Sequence, residues 1–453
     1  MFTRTLNKLI LIFDRYILGK TCDMGLTCTN IESYFNNFFD NNHVSVDICS
    51  YGVNCGCGVD NSKKRYSYLN ILNIIKNRCD FIEYTANIFS DNNEILIKSL
   101  QGTVQVDHSY TVTCCRLIKN IISDISDISD ISDISDISDI SDIRQTSVKN
   151  TPTSNLYLLW LTFSYCLTSM LRRGVGLYRK INSEKMLWQV KVVDKNTGNN
   201  YYLPKEHELN NAYYADPFFI KFNDVVYLFV EKFLANSQKG IIQRFIVSSD
   251  ELIDDGVALE EPFHLSFPFM FVHDECLYML PEAHKSNQIR LYRYDERGGK
   301  FTLYNVLLDN VSAADSLLLM QDNIWWLLTN IDKTGCDLHT SRLYIYSANN
   351  LKDKKWTPHQ NNPVINDISK ARNGGFFIKN GIMYRVGQMQ GFGIYGAGYS
   401  INKIKLINNY EYTEVTIKKI YASDFGALGS HHFSTIGSYT ACDEYVLKKV
   451  SVV

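Results

Sequence analysis

From residue 186 onward the chain alternates apolar and polar positions in short runs separated by Asn, Asp and Gly. This is the period-two pattern of half-buried β-strands joined by tight turns. One hairpin recurs: a strand, a polar turn, and a second strand that ends on a polar residue. Its copies are ADPFFIKFNDVVYLFVE (215–231), FPFMFVHDECLYMLPE (267–282), ADSLLLMQDNIWWLLTN (314–330), NGGFFIKNGIMYRVGQ (373–388) and a weaker HHFSTIGSYTACDEYVLKK (431–449). Their starts lie roughly 50 to 60 residues apart, the repeat length of a four-stranded propeller blade. Five copies predict five blades over residues 186–453, with MLWQVKVV (186–193) closing the ring by completing the last blade.

Upstream the texture changes. Residues 1–120 show mixed patterning and read as a smaller α/β domain. Residues 121–150 are low complexity, with seven Ser-Asp-Ile triplets from Ser123 to Ile143. A period of three matches neither the 3.6 of a helix nor the 2.0 of a strand, so the segment reads as a disordered or loosely structured insert. Residues 151–185 read as a linking helix. Its apolar run, 156–171, numbers 16 residues, short of the ~20 needed to cross a bilayer. Arg172 and Arg173 follow, which allows an interfacial helix, but a buried helix joining two domains is the preferred reading.

Composition narrows the function classes. Apolar residues make up 45% and aromatics 13% of the chain, with 29 Tyr and 24 Phe, which suits a β-rich core. Net charge is −2 with no basic stripe, so no nucleic-acid partner is expected. Nine of the 12 cysteines precede residue 170, which does not suit a disulfide framework in a large C-terminal domain. Cys49, Cys55 and Cys57 lack the paired spacing of a zinc site. Reduced thiols, a cytoplasmic location and no cofactor or structural metal are the expectations.

The repeat also makes a geometric prediction. The first residue of strand one and the last of strand two lie side by side in each hairpin, and in a propeller those edges gather at one mouth of the central channel. The residues there are Asp216 and Glu231, Glu282, Asp315 and Asn330, Arg372 and Gln388, and His431 with His432. Each has an ordinary structural reading, Asp216 before Pro217 as a turn residue for instance, but a polar set in register across blades is more than a structural repeat needs. Carboxylates at a channel mouth suit glycoside chemistry, one protonating the leaving oxygen and another acting as base or nucleophile. Asp216 is the candidate base, Glu282 the acid and Asp315 the group that tunes them. Glu231, Arg372, Gln388, His432 and Tyr214 are candidate substrate-binding residues. Tyr213, Phe263, Phe392 and Tyr395 are further aromatics for stacking on a sugar.

The strings YADPFFIKFNDVVYLFVE, KGII, LEEPFHLSFPFMF, MLPEAH, RLYRY, AADSLLL, WWLLTN, NPVINDISKARNGG, YG and HH resemble, in order, the N-terminal propeller domain of glucosamine inositolphosphorylceramide transferases. The resemblance covers residues 186–450 and implies a mainly β fold, a five-bladed β-propeller similar to family 43 glycoside hydrolases. In that comparison Asp216 matches the base position and Asp315 the third-blade aspartate. The hydrolases' later-blade Glu has no counterpart, since blade four offers Arg372 and Gln388. Residues 79–109 resemble the core of formyltransferase-like proteins, with His108 matching the catalytic His and Val106 where the family has Asn, which implies a degenerate domain without folate chemistry. Three functions stay open: a propeller that binds or modifies a glycan or glycolipid head group, a formyl transfer enzyme on an amino sugar with the propeller as platform, and a non-enzymatic scaffold.

Overall fold

The computed structural model describes residues 44–51, 64–65, 68–89, 96–129, 155–182, 184–204, 212–248, 251–333 and 339–449. Cys55 and Cys57 lie outside them. The chain forms two compact units: Met1–Tyr178 with Lys333–Asp337 and Gly391–Gly393, and the remainder from Arg179.

The N-terminal unit holds an antiparallel sheet of β1 (Val44–Tyr51), β2 (Lys64–Arg65), β3 (Phe81–Phe89) and β4 (Leu96–Gln105), in the order β2-β1-β3-β4. Helices α1 (Tyr68–Lys76) and α2 (Tyr110–Ser129) accompany it. Cys114, Leu117, Ile118 and Ile121 of α2 are buried, the i, i+3, i+4, i+7 stripe of a core-facing helix. That stripe carries the helix past residue 120 and into the Ser-Asp-Ile triplets, so residues 121–129 are helical where a loose insert is expected, and the remainder of that segment lies outside the described residues. The reason is local: a helix already nucleated extends at little cost. The Tyr84 hydroxyl also donates to the buried Asp124 carboxylate. Cys115 is disulfide-bonded, which departs from the expectation of reduced thiols, whereas Cys79, Cys114, Cys166, Cys276 and Cys442 are thiols outside any disulfide. Helix α3 (Asn155–Ile181) follows. It buries Leu161 and Tyr165 but exposes Leu156, Phe163, Leu167 and Leu171, so the expected buried linker is buried on one face only. No helix among the described residues is long and apolar enough to cross a membrane.

The second unit is a five-bladed β-propeller. Its first blade is β7 (Ala212–Phe222), β8 (Val225–Leu234), β9 (Lys239–Val247) and β10 (Leu252–Leu259). The second is β11 (Ser266–His273), β12 (Cys276–Glu282), β13 (Gln288–Asp295) and β14 (Lys300–Asp309). The third is β15 (Ala313–Gln321), β16 (Ile324–Ile331), β17 (Arg342–Ala348) and β18 (Thr357–Pro358), with β19 (Ile365–Asn366) also on β17. The fourth is β20 (Asn373–Lys379), β21 (Ile382–Gly391), β22 (Ile394–Ile407) and β23 (Tyr412–Tyr421). The fifth takes β24 (Phe433–Ile436) and β25 (Tyr439–Lys449) from the end of the chain and β5 (Glu184–Asp194) and β6 (Asn200–Leu203) from the start of the propeller. Strands β25 and β5 pair continuously from Tyr439↔Asp194 to Lys449↔Glu184, which closes the ring as the 186–193 strand predicts.

First strands of successive blades lie against one another, β7 on β11, β11 on β15, β15 on β20, β20 on β24 and β24 on β7. They are therefore the innermost strands. Each of the first three inner hairpins turns on two residues that are both left-handed, Asn223-Asp224, Asp274-Glu275 and Asp322-Asn323, and Asn380-Gly381 does the same in the fourth. Two-residue turns of this hand match the right-handed twist of the strands they join, and Asn, Asp and Gly tolerate them best. Leu280, Leu317, Leu327 and Leu328, all fully or almost fully buried, belong to the core that joins the second, third and neighbouring blades.

Candidate functional site

The site is built by one irregularity repeated four times. At the start of each of the first four inner strands the ladder slips by one residue, between Ala215 and Phe218, Ser266 and Phe269, Ala314 and Leu317, and Asn373 and Phe376. The residues in the slip are Asp216-Pro217, Phe267-Pro268, Asp315-Ser316 and Gly374-Gly375. Asp216 (φ 52°), Phe267 (φ 45°) and Asp315 (φ 45°) are left-handed there, a conformation that costs a non-glycine residue about 1–2 kcal/mol. Such bulges re-aim a side chain out of the strand's alternation. In the fourth blade glycine is required instead: a Cβ on Gly374 would lie 2.3 Å from the His431 carbonyl oxygen, and one on Gly375 2.3 Å from that of Phe433.

The re-aimed groups meet the strand ends named from the sequence. Two connected clusters result. In the first, Asp443 Oδ1 accepts the backbone N–H groups of His431 (2.8 Å) and His432 (3.0 Å). The imidazole of His431 lies between two carboxylates, Nδ1 at 3.0 Å from Asp443 Oδ2 and Nε2 at 3.1 Å from Asp216 Oδ1. The other Asp216 oxygen accepts the Phe267 N–H at 3.1 Å. In the second cluster Arg372 Nε donates to Asp315 Oδ2 at 2.5 Å and its Nη2 lies 3.5 Å from Glu282 Oε2. Gln388 Nε2 donates to the same Asp315 oxygen at 2.8 Å, and His284 Nδ1 lies 2.7 Å from Glu282 Oε1. Glu231 has a looser neighbour, His264 Nε2 at 3.5 Å. The backbone N–H of Gly240 donates to His264 Nδ1, so the ring carries its proton on Nε2, facing Glu231.

Electrostatics sorts these acids into two states. Burial raises the Asp216 pKa, but His431 and His432 together outweigh it and hold the carboxyl far below the usual range. Burial likewise opposes ionisation of Glu282, and His284, Arg372 and Asp315 overcome it. Glu231 goes the other way: burial, then the charges of Asp216, Glu282, Asp315 and Asp443, push it well above an ordinary glutamate. Burial raises Asp315 most, Arg372 opposes it, and Glu282 and Asp216 raise it further, leaving the group well above an ordinary aspartate. Burial works against a charged His431, yet Asp443 and Asp216 raise its pKa. Glu282, expected as the acid, is thus the more readily ionised of the two, and Glu231, expected only to hold substrate, holds its proton more tightly. Separated pKa values in one cluster are how a single site presents an acid and a base together.

Placement corrects two further expectations. Tyr214 is fully buried in the core shared by the fifth and first blades, because alternation turns it away from the mouth, so it offers no stacking face. His432 is also fully buried, edge-on to Phe218 (4.4 Å) and Phe267 (5.3 Å), and stands behind Asp216 rather than facing a ligand. Asn330 is a strap: its amide donates to the Arg342 and Ala371 carbonyls and its oxygen accepts the Asn373 N–H. Tyr395, in contrast, is exposed and lies 4.9 Å from the His431 ring and 5.2 Å from the Arg372 guanidinium. Asp216, His431 and Asp443 bring donor atoms within 4.8 Å of one another, a spacing that could hold a metal ion.

Residues 202–427 match the family model described as glucosamine inositolphosphorylceramide transferase 1, N-terminal. These residues belong to that family. Glucosamine inositolphosphorylceramide transferase 1 of Oryza sativa subsp. indica is 33% identical over 220 residues, 47% of this chain and 29% of that protein. The Arabidopsis thaliana protein of the same name is 33% identical over 243 residues, 50% of this chain and 30% of its own. The chain therefore spans about 30% of the length of the curated relatives it matches. Among solved structures, a GH43 protein from Bacillus licheniformis aligns at 14% identity and a TM-score of 0.34, over 46% of this chain and 43% of that one. The glucosamine inositolphosphorylceramide transferase match includes Asp216, Glu231, Glu282, Asp315, Arg372 and Gln388, and stops before His431 and Asp443.

Three site residues escaped the sequence reading: Asp443, His264 and His284. Asp443 sits in the weakest copy of the repeat, one register position from His432, where alignment to the other hairpins would have found it. His264 belongs to a loop and His284 to a short 3-10 turn, His284–Ser286, whose reach no strand pattern specifies.

The raised Glu231 carries a testable sign. The unfolded chain ionises this glutamate near pH 4.3, whereas the folded protein keeps its proton. Holding that proton costs no stability below about pH 4 and progressively more as pH rises above it. Glu231→Gln, a neutral isostere, should leave the melting temperature unchanged at about pH 4 and raise it progressively as pH increases towards about 8, the cost growing by up to about 1.4 kcal/mol for each pH unit over which the folded glutamate holds its proton. Calorimetry across that range checks it; a gain independent of pH would show that Glu231 ionises freely.

Proposed function

We propose that the propeller mouth recognises a sugar or inositol head group of a glycan or glycolipid. The observation that carries this is the pre-built acid cluster, in which Asp216 and Glu282 are held ionised, Glu231 and Asp315 hold their protons more tightly and Arg372 bridges the acid groups of Asp315 and Glu282. A sugar ring presents hydroxyls that both donate and accept, and this set offers acceptors and donors side by side. Tyr395 supplies an exposed ring at the same mouth. The names of the curated relatives specify glucosamine and inositolphosphorylceramide, which makes those head groups the first ligands to test.

The Asp216–Glu231 contrast favours a second reading, glycosyl hydrolysis or transfer with Glu231 as the acid. Asp216 is an ionised carboxylate with both oxygens engaged, by His431 and by the Phe267 N–H, so it serves better to hold a ligand or stabilise positive charge than to abstract a proton. Calorimetric titration with glucosamine, myo-inositol phosphate and a glucosaminyl-inositol compound tests both. Asp216→Asn, which keeps shape and removes charge, should weaken binding about tenfold or more, the loss of one charge-assisted contact. Unchanged affinity in Asp216→Asn and in Arg372→Lys would remove the mouth as the binding site. Retained binding with lost turnover in Glu231→Gln would establish the catalytic reading.

A further inference from the structure

Helix α3 presents a stripe that neither the fold nor the proposed site uses. Leu156 (77% exposed), Trp160, Phe163 (67%), Leu167, Leu171 (61%) and Tyr178 (65%) all face solvent. At 100° per residue they fall within about 80° of arc, along ~33 Å of helix. Leu161, Tyr165 and Ser169, on the opposite side, are buried. A continuous exposed apolar surface of this length marks an interaction site.

The charges on the same helix say what it meets. Asn155–Ile181 contains four basic residues, Arg172, Arg173, Arg179 and Lys180, and no acidic one. Arg173 lies on one flank of the stripe and Arg179 on the other, each roughly 120° from its centre by helical geometry, whereas Arg172 turns to the buried side, its guanidinium 5.7 Å from the centre of the Phe392 ring. An apolar stripe with aromatics towards both ends and an arginine on each flank fits a surface that is apolar below and anionic above. A protein partner would meet an apolar face as well, but would give no reason for the absence of every Asp and Glu over 27 residues. The helix is not apolar enough to cross.

We propose that α3 lies along the surface of an anionic membrane, with the 156–178 stripe at the acyl boundary and the flanking arginines at the head groups. This stands on the helix alone and does not depend on what the propeller mouth binds.

Co-sedimentation of the full chain with vesicles tests it. Binding should be marked with about one third phosphatidylserine in phosphatidylcholine, weak with phosphatidylcholine alone, and reduced by salt. Phe163→Glu with Leu167→Glu, and separately Leu156→Glu with Leu171→Glu, should each cut binding about tenfold or more. Both pairs are exposed, so the melting temperature should not move, and the two pairs guard against one of them misfolding. Arg173→Glu should lower binding to anionic vesicles only. Three results overturn the proposal: a chain that stays in the supernatant with every vesicle, binding unchanged by both apolar pairs, or self-association by light scattering that both pairs abolish, which would assign the stripe to a second copy of the chain.

Discussion

Arg385→Met should lower the stability of the propeller by about 3–5 kcal/mol, the cost of leaving a buried charge without its partner. Arg385 is fully buried and its guanidinium makes a two-pronged contact with Glu414, Nε to Oε2 at 2.8 Å and Nη2 to Oε1 at 2.6 Å. It also donates to the Lys370 and Ala371 carbonyls and to the Asn373 side chain. Burial opposes ionisation of Glu414, and Arg385 with Tyr412 brings its pKa below the ordinary value. Methionine fills the volume and removes the charge, so Glu414 must take up a proton or stay unpaired. The double variant Arg385→Met/Glu414→Leu should recover most of the loss, because exchanging a whole buried pair for apolar groups is often neutral. Urea unfolding of the parent and the two variants decides it. A double variant no better than Arg385→Met would mean that the carbonyl contacts, not the ion pair, hold the fourth blade.

Asp443→Ala should cost a similar ~3–5 kcal/mol and abolish ligand binding at the mouth as well. This one carboxylate accepts from the His431 and His432 backbones, lies 3.4 Å from the Asp216 N–H and holds one side of the His431 ring. Its loss frees the start of β24 and leaves Asp216 with a less strongly charged imidazole. Asp443→Asn, which keeps two acceptor positions at most, should be intermediate in stability while shifting the pH dependence of binding towards acid, since His431 then loses a proton more easily. Stability and affinity measured on the same samples separate the two effects. An Asp443→Ala protein as stable as the parent would show that strand pairing between β25 and β5 closes the ring unaided.

Much of this architecture is legible in the residues. The hairpin repeat, its two-residue Asn and Asp turns and the 186–193 strand state the blade count and the way the ring closes. The mouth was legible too, because the polar residue at each strand end has a fixed place in the register: Asp216, Glu231, Glu282, Asp315, Arg372, Gln388 and His431 all meet there. Roles were not legible. Whether Glu231 or Glu282 keeps a proton depends on which of them faces Arg372 and His284, and those neighbours come from other blades and from loops. Tyr213 and Tyr214 are equally aromatic in the sequence, yet one stacks on Phe233 at 4.5 Å and the other is core. The helical start of the Ser-Asp-Ile triplets depends on the stripe before it, and Ile-rich repeats alone do not show that.

The fifth blade has a consequence for the order in which the molecule can be made. Strands β5 and β6 leave the ribosome before any other part of the propeller, and the strand they need, β25, leaves last. Until residue 449 is available, β5 has an open edge, Asp443 is missing from the mouth and Asp216 has neither His431 nor its own backbone anchor. The acid cluster at the mouth is therefore a property of the finished ring. A nascent or truncated chain can hold four blades and still lack it, and any factor that shields β5 during synthesis would also set when that cluster is assembled.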